Sequence, residues 1–115
     1  MSAVRILVVA GALLAPAAPV LAGHPWTRPL LTVDVRPPQA YQGGRLPGAR
    51  SIPLSSLTAR RDELPAEGLV VLYGARGVEE ARIAYRYLRS AGHANVVVLE
   101  GGFDAWQGQG FGVER

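Results

Sequence analysis

Two short runs, Leu69-Val70-Val71-Leu72-Tyr73 and Val96-Val97-Val98-Leu99, are continuously apolar and rich in β-branched residues. Such runs suit strands of a parallel sheet buried on both faces. Between them lies a segment of helical period, in which Ala81, Ala84, Tyr85 and Leu88 form one apolar stripe and Arg82, Arg86 and Arg89 take the other side. Glu79 and Glu80 stand in its first turn, where the helix dipole favours negative charge. Gly92 follows its end, where a left-handed backbone is needed. Strand, helix and strand in this order make a right-handed parallel crossover, and the chain reads as α/β.

A third run, Leu30-Leu31-Thr32-Val33-Asp34-Val35, has strand character with an aspartate near its end. Ser55 or Ser56 is expected to cap a short helix running to about Leu64, and a last helix is expected to start near Phe103 and to include Trp106. Pro47-Gly48 and Gly101-Gly102 read as turns. There are no internal repeats, and 115 residues are enough for one domain.

Residues 1–22 read as a secretory signal peptide. Arg5 supplies a positive charge, an apolar stretch runs from Ile6 to Leu21, and Val20-Leu21-Ala22 makes a small-residue exit. The alternatives are an uncleaved membrane anchor and an internal role. The stretch is marginal against the roughly 17–25 residues of a spanning helix, and Pro16 and Pro19 interrupt it. A domain of residues 23–115 would remain, exported to the periplasm or secreted, with membrane contact only if the leader is retained.

All 12 basic residues are arginine, and once Arg5 is set aside 11 of them face 9 acids. They are scattered, with only Arg60-Arg61 adjacent, so nucleic acid is not an expected partner. His24 and His93 stand alone and there is no cysteine, which leaves no metal site and implies no cofactor. No serine sits at a strained strand-to-helix elbow and the chain has no lysine for a phosphate loop, so hydrolase and nucleotide-binding readings have no support.

Open parallel sheets hold ligands beyond the carboxyl ends of their strands. Here that place is the turn Gly74-Ala75-Arg76-Gly77, continuing through Val78 and Glu79 into the helix. Its backbone N–H groups could cradle an anion, and a plain glycine turn is the alternative. Arg76 could hold an oxyanion or point to solvent.

The neighbouring motifs narrow the reading. Val33-Asp34-Val35-Arg36 is followed by Tyr41, Gly44 and Leu46-Pro47-Gly48-Ala49-Arg50-Ser51-Ile52-Pro53, and later by Leu99-Glu100-Gly101-Gly102-Phe103-Asp104-Ala105-Trp106. This ordered set, from about Leu30 to Gly112, resembles the rhodanese-like (sulfurtransferase) family. The resemblance implies a parallel sheet flanked by helices, and a strand and helix ahead of Asp34 that are shortened here, since only residues 23–29 remain after the leader. Either the sheet lacks an edge strand, or the leader is retained and helps fill the gap; an open edge would invite a homodimer or a partner's strand. It further implies that Asp34 orders the turn at Arg36 rather than acting as an acid. Phe103 and Trp106 read as core anchors of the last helix, with a ligand platform as the alternative.

The chain departs from the family pattern in three places. Gly74 stands where the family has its catalytic cysteine, whose sulfur carries a persulfide. Glu79 and Glu80 stand where arginine and then serine or threonine are frequent, and Arg45 where histidine is usual. A persulfide needs a polarisable thiolate among amides and positive charge, and this chain has none to offer. The leading expectation is an exported domain without sulfurtransferase activity that binds a small oxyanion or a protein. Two alternatives stand beside it: an enzyme that uses the thiol of a partner or substrate, and a decayed copy without function.

Overall fold

The computed structural model describes Arg5–Ile6 and residues 30–115. The leader and the segment before Leu30 otherwise lie outside the described residues, as does His24. Strands β1 (Arg5–Ile6), β2 (Leu30–Asp34), β3 (Arg50–Ser51), β4 (Leu69–Tyr73) and β5 (Val96–Leu99) form one sheet in the order β1-β5-β4-β2-β3. Every pairing is parallel. Helices α1 (Pro38–Gly43), α2 (Leu57–Arg60), α3 (Glu79–Ser90) and α4 (Gly102–Gly108) flank it.

The continuous apolar runs follow from cover on both faces. Val70 and Leu72 of β4, with Val96 and Val98 of β5, pack on Ala81, Ala84 and Leu88 of α3. Val71, Tyr73, Val97 and Leu99 point to the opposite layer, against Phe103 and Trp106 of α4. A strand alternates its side chains, so only a sheet covered on both sides makes all of β5 apolar and buried. The end of α3 is equally determined. Gly92 takes a φ of 101°, its N–H donates to Arg89 O at 3.1 Å, and the His93 N–H donates to Leu88 O at 2.9 Å, the pair of bonds that ends a helix on a left-handed residue.

Between β3 and β4 the structure differs from the expected capped helix. Leu54–Ser56 and Arg61–Glu63 are 3-10 turns on either side of the four-residue α2, and Ser56 makes no capping bond. Leu57 and Leu64 are buried within this segment, so it is held by packing rather than by a cap. Helix α1 was not expected, because it buries no residue and carries no apolar period.

Beside β5 lies β1, pairing Arg5 with Val98 and Ile6 with Leu99. The sheet formed by residues 30–115 thus has four strands, and a fifth pairing comes from the segment read as a leader.

Candidate functional site

The carboxyl ends of β2 and β4 meet at a buried polar cluster. Asp34 is fully buried and Arg36 nearly so. The Arg36 backbone N–H donates to Asp34 Oδ1 at 2.9 Å, and its guanidinium reaches Oδ2 at 2.6 Å. Burial lowers the affinity of that guanidinium for its proton, but the hydrogen bonds and charge of Asp34 outweigh it and raise the pKa overall. The Tyr73 hydroxyl donates to Asp34 Oδ2 at 2.7 Å and accepts from the Leu46 N–H at 3.2 Å. Its pKa is driven far upward, by burial first and then by the Asp34 carboxylate. Arg36 also donates to Gly44 O at 2.7 Å and stacks over Phe103, 4.2 Å from the ring centroid. One carboxylate therefore ties the end of β2 to Tyr73, the residue before Gly74, and through Arg36 to the first turn of α4.

That turn is fastened to the loop itself. The Phe103 N–H donates to Gly74 O at 2.9 Å and the Asp104 N–H to Ala75 O at 2.8 Å. Gly102, at φ 62°, makes this approach feasible, since a β-carbon there would lie 2.6 Å from Gly74 O. The free N–H groups at the start of α4 thus find their acceptors in the loop.

Within the loop, Gly74 is buried, Val78 packs on the core beneath α3, and Glu79 is exposed. Arg76 points outward, 85% exposed, and its Nε lies 3.1 Å from Asp104 Oδ2. Arg45, the third departure, stacks on Tyr41 at 4.6 Å, and its backbone N–H donates to Glu114 O at 2.9 Å. It serves the C-terminal tail rather than the loop.

The group that completes the loop is Glu80, which the sequence marks as a first-turn acid and as a departure from the family pattern, but not as a partner of Gly74. The Ala75 N–H donates to Glu80 Oε1 at 2.9 Å. A β-carbon at position 74 would lie 2.6 Å from that same oxygen, 3.0 Å from Glu80 Cβ and 3.4 Å from Cδ. The space a side chain would take at 74 is filled by the side chain at 80, and one loop amide is engaged by a carboxylate of the chain itself. The available signal was a matched exchange of volume: the smallest residue at 74, and a long one at 80 where a small hydroxyl residue is frequent.

Comparison with known proteins places the fold that carries this site. The family model of the rhodanese-like domain matches residues 18–109. The chain belongs to the rhodanese-like family. It is 33% identical over 84 residues to a sulfurtransferase of Allochromatium vinosum, covering 73% of this chain and 78% of that protein. A thiosulfate sulfurtransferase GlpE of Pseudomonas entomophila is 35% identical over 79 residues, covering 67% of this chain and 70% of the relative. The uncharacterized protein YqhL of Bacillus subtilis is 40% identical over 77 residues, and the match spans 60% of that protein's length. Among solved structures, the Alr3790 protein of Anabaena sp. superposes with a TM-score of 0.69 at 35% identity, covering 74% of this chain and 68% of that one. The rhodanese-like sheet and its flanking helices are therefore shared, and sulfurtransferases are among the relatives.

Proposed function

We propose that this rhodanese-like domain carries no sulfur on its own loop and acts as an exported binding module. The observation that carries the reading is the exchange at positions 74 and 80. The chain has no cysteine, and the Glu80 carboxylate fills the space beside Gly74. A carboxylate is a poor nucleophile toward sulfane sulfur and cannot hold it as a persulfide. Its negative charge also opposes the thiolate that the family chemistry requires.

The same exchange speaks against a decayed copy. Loss of a side chain alone would leave a void and an unpaired loop amide. Here the void is filled and the Ala75 N–H has its acceptor. Export rests on the charge, apolar stretch and small-residue exit of residues 1–22.

Purified protein incubated with thiosulfate and cyanide should form thiocyanate no faster than a heat-treated sample. Robust turnover would sink the reading. Turnover that begins only on addition of a low-molecular-weight thiol would instead favour an enzyme working with a borrowed sulfur.

A further inference from the structure

Glu80 belongs to two features of the surface. One carboxylate oxygen holds the Ala75 N–H beside Gly74. The same residue also lines a surface cleft of about 390 Å³ with Val35, Pro37, Pro38, Pro53, Leu54 and Ser55. That volume lies within the roughly 300–1,000 Å³ of small-molecule sites. Three prolines form much of the wall, and their rings hold it without loss of side-chain freedom.

We propose that this cleft binds a small primary ammonium ion carrying a short aliphatic chain. The proposal rests on the binding-module reading and supplies its ligand class. Of the lining residues Glu80 alone is charged, so the charge of the cleft is negative although the whole chain is formally +3. The polar side chains lining it are a carboxylate, which only accepts, and the Ser55 hydroxyl, which can accept, set among apolar carbons. Oε1 is already engaged, and among the described residues Oε2 has no hydrogen-bond partner. A single uncommitted carboxylate oxygen suits the point charge of an ammonium better than a guanidinium, whose planar fork is matched by two oxygens. The aliphatic chain would lie along Pro37, Pro38, Pro53 and Leu54, where its burial adds to the affinity.

Three probes of equal chain length test the assignment: hexylammonium, 1-hexanol and hexanoate, titrated into the full chain and followed by two-dimensional NMR. The expected result is saturable shifts at Val35, Leu54 and Glu80 with hexylammonium, about tenfold weaker ones with hexanol, and none there with hexanoate. In Glu80→Gln, which retains an acceptor for the Ala75 N–H, the advantage of amine over alcohol should vanish. The wild-type comparison of amine with alcohol stands even if that variant folds poorly. Preference for hexanoate, equal binding of amine and alcohol, no binding of any probe, or an advantage that survives in Glu80→Gln would each overturn the proposal. Those outcomes leave the absence of sulfur transfer untouched, since the thiosulfate assay decides that separately.

Discussion

At the scale of single residues, the loop is governed by volume and by protons. Gly74→Cys alone would press its β-carbon against Glu80, whose Cβ is a near neighbour as well as its flexible carboxylate. Such a variant should take up little sulfur. Gly74→Cys combined with Glu80→Ser removes both the obstruction and the opposing charge, and should gain 32 Da (~32, one sulfur atom) after thiosulfate treatment, read by intact mass spectrometry, to an extent about tenfold greater than the single variant. Equal labelling of the two would show that Glu80 does not guard the position. Beneath the loop, Tyr73 binds its phenolic proton more tightly when folded than when unfolded, owing to burial and then to Asp34. That contribution to stability is complete below the ordinary value of 10.0 and is lost as pH rises above it. Urea midpoints should therefore fall from pH 9 to pH 11 (roughly spanning that value), and Tyr73→Phe, though less stable at neutral pH, should show a flatter decline.

At the scale of elements, α4 and the loop behave as one piece because Gly102 lets them touch. Gly102→Ala places a methyl group against Gly74 O on a left-handed backbone, and should cost more than about 1 kcal/mol in chemical denaturation. Gly108→Ala, in the same helix with open space around it, should be neutral or slightly stabilising; similar losses at both positions would remove the special role of Gly102. This contrast shows how the sequence can be read. The strands Leu69–Tyr73 and Val96–Leu99 were legible to the residue, because burial on both faces leaves no position free to be polar. Helix α3 was legible from its stripe and its terminal glycine. Helix α1 was not, because a six-residue helix that buries nothing carries no pattern. The segment from Leu54 to Glu63 misled because its leucines are held by packing, while its serines suggested a cap that does not form. At the loop, the missing nucleophile was visible in the sequence, but the reach of Glu80 back to Gly74 was not. That contact depends on the angle at which α3 leaves the turn, which spacing alone does not specify.

At the scale of the whole molecule, the observed pairing of the N-terminal segment and its proposed removal as a leader exclude each other. Paired through Arg5–Ile6, it covers the outer edge of β5; removed as a leader, it would leave the backbone groups of that edge open. Protein recovered from an exported fraction should begin near Gly23 by intact mass. A chain beginning there should show faster hydrogen exchange at the β5 amides that face β1, and more self-association in sedimentation, than the full-length chain. Identical exchange and sedimentation in the two forms would mean that β1 contributes nothing to the edge. The fold does not depend on this choice, since β5, β4, β2 and β3 with both layers of helices lie within residues 30–115.

The fit between Gly74 and Glu80 also bears on how such a chain could change its trade. Restoring a thiol at 74 first sets it against a resident carboxylate, and shortening Glu80 first leaves a hollow and an amide without its acceptor. Each single step is expected to be less favourable than the two together. A thiol at 74 and a short residue at 80 are therefore expected to come together or not at all.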